Sequence, residues 1–131
     1  MKAKKIWANF SVQDAKRTRQ FYTELGFTPN QPNNDGRLAS FLFGDNDFVI
    51  HFFEQGSQID EYLASGQTSS EIIFTLSAET EAEVKEWAEK VKKAGGTIFL
   101  EVGRDATHHY GFGFADPDGH KFNVLLLEKG M

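Results

Sequence analysis

The chain contains the same strand–turn–strand pattern twice, and this repeat constrains the fold more than any other feature of the sequence. The later copy spans residues 112–125 and turns at DPDG, residues 116–119. The earlier copy spans residues 41–52 and turns at GDND, residues 44–47. Because each hairpin follows a predicted strand and a predicted helix, the sequence predicts one βαβββ plan written twice.

Alternating and helical periodicities define the first copy ahead of its hairpin. Residues 6–12 alternate between two faces, which predicts a half-buried strand. Asp14 is placed to cap a helix at its start, and Gly26 is placed to end it. The predicted apolar stripe of this helix consists of Ala15, Thr18, Phe21, Tyr22 and Leu25.

The second copy follows the same order. A predicted strand over residues 72–77 precedes Thr80 and Glu83, which form a capping-box pattern that satisfies backbone N–H groups at a helix start. Gly95 and Gly96 end this helix. Its apolar stripe consists of Val84, Trp87, Ala88, Val91 and Ala94. The remaining predicted strands are residues 97–102, 110–114 and 121–127.

A polar linker, residues 55–70, separates a first module, 1–54, from a second module, 71–131. Apolar spacing at Ile59, Tyr62 and Leu63 predicts a short amphipathic turn or helix at the surface, and the linker is also a candidate lid. With 131 residues, of which 40% are hydrophobic, the chain is predicted to form a single domain, 1–131. A domain this small gains from pairing with a second copy.

Composition excludes several classes of function. The net charge is −5 with both signs interspersed, so no basic face for nucleic acid is predicted. The chain has no cysteine, which excludes disulfides and thiolate chemistry and suits a reducing compartment. The apolar stretch after the N-terminal lysines is too short for export or membrane spanning. We expect a soluble, cytoplasmic protein with no membrane or nucleic-acid partner.

Three motifs in combination carry a resemblance to a known family. They are FYTELGF at residues 21–27, AGG at residues 94–96 and DPDGH at residues 116–120. The chain resembles the glyoxalase/bleomycin-resistance/dioxygenase superfamily, also called vicinal oxygen chelate proteins, over nearly its whole length. The resemblance implies an α+β fold in which two βαβββ modules form a cupped mixed sheet. It also implies a cavity between the halves and a homodimer, in which the sheet halves pair within or between chains.

The resemblance also locates four positions at which metal-using members carry ligands. These positions are Trp7, His51, Ile73 and Asn123. Only His51 is a good ligand for a divalent metal, so we expect no cofactor and no metal. The alternative is a single divalent metal, Zn, Ni, Fe or Mn, held by His51 and by Glu71 if a bulge turns Glu71 inward. In the other interpretation Glu71 is a solvent-exposed carboxylate at a strand edge.

A small-molecule site is the favoured interpretation of the cavity. The predicted ligand-binding residues are Trp7, Asn9, His51, Phe53, Thr75, His109, Tyr110 and Asn123. Further predicted lining comes from Ser11, Ile73 and Leu125, with some of Phe41, Phe43, Phe99, Phe112 and Phe114. Aromatic area with a few polar groups is typical of ligand pockets. The alternative is that Trp7 and the phenylalanines fill the cup as core.

The roles of the four histidines have more than one interpretation. His51, among apolar neighbours, is expected to be neutral and is the candidate catalytic residue, as an acceptor or general base. His108 and His109 form either a solvated loop pair or a pair that reaches the cavity. His120 follows the DPDG turn and is interpreted as a turn or surface residue.

Three functions compete at this point. The leading one is a metal-independent binding protein that holds a partly aromatic ligand at a dimer interface, similar to bleomycin-resistance proteins. The second is a metal-dependent lyase, isomerase or dioxygenase similar to glyoxalase I (lactoylglutathione lyase). The third is metal-free acid/base catalysis by His51 with Tyr110 or a loop histidine. The sequence names neither the ligand nor a reaction, so whether the protein is an enzyme stays open.

Overall fold

Each half of the chain folds as a four-stranded mixed sheet with one α-helix. The computed structural model describes residues 1–31, 34, 36–63 and 72–131. Two compact units follow one another along the chain, Met1–Thr68 and Ser69–Met131. The predicted βαβββ repeat and the α+β class are therefore confirmed, whereas the single domain stays a prediction. Within the described ranges, no helix is both long and apolar enough to span a membrane.

The first unit contains four strands and one α-helix. They are β1 (Ala8–Val12), α1 (Ala15–Leu25), β2 (Thr28–Pro29), β3 (Leu38–Phe43) and β4 (Phe48–Glu54). A 3₁₀ helix, Gln58–Glu61, follows β4. The strand order is β1-β4-β3-β2, with β1 parallel to β4 and the other pairs antiparallel. The sequence did not predict β2, because a two-residue strand has no periodicity to detect.

Helix α1 begins and ends where its capping residues predict. Asp14 Oδ1 accepts hydrogen bonds from the backbone N–H groups of Lys16, at 3.0 Å, and Arg17, at 3.3 Å. Gly26 ends the helix in the left-handed region at φ 97°, a conformation that favours glycine. All five residues of the predicted apolar stripe are buried.

An aromatic cluster forms the core of the first unit. The ring of Tyr22 stacks on Phe52 with 4.6 Å between centroids and lies 5.6 Å from Phe41 and 5.9 Å from Phe43. These contacts place Phe41 and Phe43 on the face of the sheet that α1 covers. Phe41 and Phe43 are therefore not among the phenylalanines near His51, because alternation along β3 turns them away from Ser40, which contacts His51 on the other face.

The second unit repeats the plan. It contains β5 (Ile73–Ala78), α2 (Glu81–Ala94), β6 (Thr97–Arg104), β7 (Tyr110–Ala115) and β8 (Lys121–Leu126). The order is β5-β8-β7-β6, with β5 parallel to β8. Thr80 Oγ1 caps α2 by accepting from Glu83 N at 3.0 Å. The reciprocal contact differs from the predicted capping box, because Glu83 Oε2 faces the N–H of Glu79 at 3.5 Å rather than that of Thr80.

Stacked phenylalanines form the core of the second unit. Phe112 stacks on Phe114 at 5.8 Å, and Phe114 stacks on Phe122 at 5.2 Å. Phe112 and Phe114 are therefore buried in this core. The opposite face of β7 carries Gly113, where an added Cβ would lie 2.8 Å from the ring of Phe99. Glycine at this position lets the Phe99 ring cross the strand.

Candidate ligand-binding site

The face of the first unit's sheet opposite α1 brings together four of the predicted binding residues. Trp7 directly precedes β1, Asn9 lies on β1, and His51 and Phe53 lie on β4. The strand register pairs Asn9 with His51. All four side chains line one pocket of about 550 Å³. This size is typical of a small-molecule site.

The segment after β4 supplies the other wall of this pocket. Gln58, Ile59, Tyr62 and Leu63 complete the lining. Ile59 is buried and anchors the segment, whereas Tyr62 is 85% exposed. The site prediction missed these four residues, although the apolar spacing in the linker, interpreted as a lid, was the signal that could have found three of them. Residues 64–70 of that linker lie outside the described ranges.

Trp7 is not enclosed by other aromatic side chains. It is 47% exposed and lines the pocket, so its side chain can contact a ligand there. Within the part of the chain that the structure describes, Trp7 therefore does not fill a closed core. The ring of Phe53 contacts that of His51 edge-on, with centroids 5.6 Å apart.

A hydrogen-bonded network of Ser40 and Asn30 holds the His51 ring in place. His51 Nδ1 lies 2.8 Å from Ser40 Oγ, and Asn30 Nδ2 donates to the same hydroxyl oxygen at 3.0 Å. Ser40 is fully buried. Partial burial lowers the pKa of His51 below its usual value, and the positive charge of Lys5 lowers that pKa further. His51 is therefore neutral near pH 7.

We expect Lys5→Gln to raise the pKa of His51 part of the way back to its usual value, because one of its two causes is removed. Proton NMR titration of the His51 ring would measure the change, and Lys4→Gln is the matched control. Because the pKa of His51 is lower in the folded chain than in the unfolded chain, the unfolded chain binds more protons at pH values between the two. His51 therefore contributes a loss of stability as the pH falls through this window. An unchanged pKa in Lys5→Gln would contradict the assignment of Lys5.

His109 and Asn123 lie together in the second unit, beside a smaller hollow of about 140 Å³ that Arg104 and Leu125 also line. Asn123 Oδ1 is buried and accepts no hydrogen bond from the described part of the chain. His109 Nδ1 lies 2.7 Å from Thr107 Oγ1. His108 is not among the residues that line this hollow.

Two further predicted residues of the second unit lie outside this hollow's lining. Thr75 is exposed on β5 and is paired in register with Asn123. Tyr110 is buried, and alternation along β7 places it on the side of Phe112, opposite Gly113. The Arg104 guanidinium lies 5.8 Å from the centre of the Tyr110 ring.

His120 closes the turn, as one of its two interpretations predicted, but it is buried rather than at the surface. Its Nδ1 lies 2.7 Å from Asp116 Oδ2, and its backbone N–H donates to Asp116 Oδ1 at 2.8 Å. Asp116 Oδ1 also accepts from the N–H of Asp118 at 3.0 Å. The DPDG motif is thus a turn whose first carboxylate organises the chain into β8, with His120 in a structural role.

The described residues around His51 do not by themselves make up a transition-metal site. Among the residues that the structure describes, no group of three or more His, Cys, Asp or Glu side chains is placed to hold a metal ion. The residue opposite His51 in register is Asn9, whose neutral amide is a weak ligand. Glu71, the other candidate ligand, lies outside the described residues. A catalytic zinc site ordinarily has three protein ligands.

The chain is thus a small α+β protein of two βαβββ units, and its first unit carries an aromatic pocket that includes His51. The sequence matches the Glyoxalase/Bleomycin resistance protein/Dioxygenase superfamily over residues 6–124, and the chain belongs to this superfamily. The resemblance seen in its motifs is therefore confirmed. A search of curated proteins finds no significant match.

Solved structures support the same fold. The hypothetical protein SA1046 from S. aureus is 30% identical, with a TM-score of 0.76 over 95% of this chain and 97% of that chain. A glyoxalase-related enzyme from Fulvimarina pelagi is 20% identical, with a TM-score of 0.80 over 95% and 89% of the two chains. The fosfomycin resistance protein FosX from Listeria monocytogenes is 19% identical, with a TM-score of 0.71 over 100% and 96%.

Proposed function

We propose that this protein binds a small, partly aromatic molecule without a metal, in the pocket lined by Trp7, Asn9, His51 and Phe53. The observation that carries the proposal is the half-exposed indole of Trp7 beside the neutral imidazole of His51 in one pocket. An aromatic face supplies contact area, and a few polar groups orient the ligand. The residues Thr75, His109, Tyr110 and Asn123 remain predicted contacts.

Similar proteins of named function support small-molecule chemistry in general rather than this particular ligand. FosX is a fosfomycin resistance protein, and its similarity to this chain is at the level of the fold. The second candidate is a metal-dependent lyase, isomerase or dioxygenase, and the similar structure from Fulvimarina pelagi, which shares the fold, is a glyoxalase-related enzyme. That candidate has His51 in its favour, and the donor set around His51 argues against it.

A fluorescence titration tests the proposal. In a Trp87→Phe background, Trp7 is the remaining tryptophan, and we expect planar aromatic compounds to quench or shift its emission. Elemental analysis of protein purified without chelator is expected to find no stoichiometric transition metal. An absence of any fluorescence response, together with about one Zn, Ni, Fe or Mn per chain, would favour the metal-dependent enzyme instead.

We also propose a cytoplasmic homodimer as the working form. The second unit leaves Ile73 52% exposed and Leu100 59% exposed, which is apolar area that a second copy would bury. Light scattering at micromolar concentration is expected to give twice the monomer mass. Leu100→Glu should favour the monomer, whereas the control Lys93→Glu on the exposed side of α2 should not. A wild-type monomer would contradict the proposal.

A further inference from the structure

The buried hydroxyl of Ser40 links two side chains whose donor and acceptor roles can be worked out atom by atom. Ser40 Oγ lies 3.0 Å from Asn30 Nδ2 and 2.8 Å from His51 Nδ1. A serine hydroxyl has one hydrogen to donate and two lone pairs to accept with, whereas an amide NH₂ group only donates. The contact with Asn30 therefore occupies a lone pair of Ser40 and leaves its hydrogen to be placed.

Within the described part of the chain, that hydrogen has one available acceptor. Ser40 is 0% exposed, so water does not reach it. Its other side-chain contact is with His51 Nδ1. Ser40 therefore donates to Nδ1, which must carry a lone pair, and the single ring proton of neutral His51 must reside on Nε2. The opposite tautomer would leave a buried hydroxyl hydrogen without a partner, which is unfavourable.

Asn30 itself is held in place by the backbone. Its N–H donates to the carbonyl oxygen of Ser40 at 2.9 Å, and the N–H of Ser40 donates to Asn34 Oδ1 at 3.2 Å. These bonds keep the side chains of Asn30 and Ser40 within reach of each other. Asn30 thus acts on His51 through Ser40 and is a positioning residue.

We propose that Asn30 and Ser40 fix His51 as the Nε2–H tautomer, so that the pocket presents a hydrogen-bond donor and selects ligands with a carbonyl or similar acceptor beside their aromatic ring. The part concerning ligands rests on the proposed function. His51 lines the pocket, and Nε2 is the ring nitrogen left for a ligand. The ring then has no lone pair there for a metal ion or for general-base chemistry, which differs from the role expected from the sequence.

The tautomer is tested without any ligand. Nitrogen-15 NMR of the His51 ring at pH 8.5, where the ring is neutral, is expected to show a protonated Nε2 and an unprotonated Nδ1. Asn30→Asp replaces the amide donor with a carboxylate that only accepts. Ser40 should then donate to the carboxylate and accept from Nδ1–H, so the ring proton is expected to move to Nδ1.

Asn34→Asp is the matched control. It makes the same chemical change, but Asn34 contacts the backbone N–H of Ser40 with an oxygen that already accepts. The tautomer is expected to remain Nε2–H in this variant. A protonated Nδ1 in the wild type, or the same response in both variants, would overturn the proposal.

A matched pair of compounds tests the ligand class. Acetophenone and ethylbenzene differ by a carbonyl in place of a methylene, and NMR titration is expected to give at least a fivefold lower Kd for acetophenone in the wild type. Asn30→Asp should remove this preference, and Asn34→Asp should keep it. Equal binding of both compounds by the wild type would overturn the selectivity. Binding of neither would contradict the proposed function and with it the ligand class, while the nitrogen shifts still decide the tautomer.

Discussion

Tyr22→Ala is expected to lower the free energy of unfolding by about 3–5 kcal/mol, the usual cost of truncating a buried aromatic residue. Tyr22 is 0% exposed, and its ring contacts Phe21, Phe41, Phe43 and Phe52. Removing this ring leaves a cavity between α1 and the sheet that rigid neighbours cannot fill.

Urea unfolding measures this effect, with Tyr22→Phe as the matched control. The control keeps the ring and removes only the hydroxyl, so we expect a loss of at most about 1.5 kcal/mol. Trp7 belongs to the first unit and Trp87 to the second. Single-tryptophan variants would therefore report unfolding in each unit separately. A loss below about 1 kcal/mol for Tyr22→Ala would contradict the role assigned to this core.

Trp7→Ala is expected to weaken the binding of an aromatic ligand by about 1–3 kcal/mol, or roughly 5- to 150-fold in Kd. The physical reason is the loss of a large apolar contact surface beside His51. Stability should change little, because Trp7 lies before β1 and is 47% exposed. A ligand identified by the fluorescence titration would be measured by calorimetry, since the variant lacks the reporting indole.

Two control variants sharpen this measurement. Trp7→Phe keeps an aromatic face and should lose less affinity than Trp7→Ala. Trp87→Ala removes a tryptophan from helix α2 in the other unit and should leave the affinity unchanged. Equal affinities for wild type and Trp7→Ala would show that the indole does not contact the ligand.

Local sequence patterns were enough to predict both α-helices and seven of the eight strands that the structure describes. Caps at Asp14, Gly26 and Thr80 act over a few residues, so the chain near each of them specifies where its helix begins or ends. Strand alternation likewise predicted that Trp7, Asn9, His51 and Phe53 line a cavity and do not belong to the core. The two-residue strand β2 was missed, because only its pairing with β3 makes it a strand.

The sequence by itself determined the repeat, the helix stripes and the superfamily, because each depends on residue types and spacing along the chain. Only the tertiary structure showed that Phe41 and Phe43 face α1, that His120 is buried against Asp116, and that residues 58–63 line the pocket. The tautomer of His51 also depends on Ser40 and Asn30, which strand pairing brings to its ring. The burial and the hydrogen bonds of a side chain depend on residues from distant segments, so spacing along one segment cannot specify them.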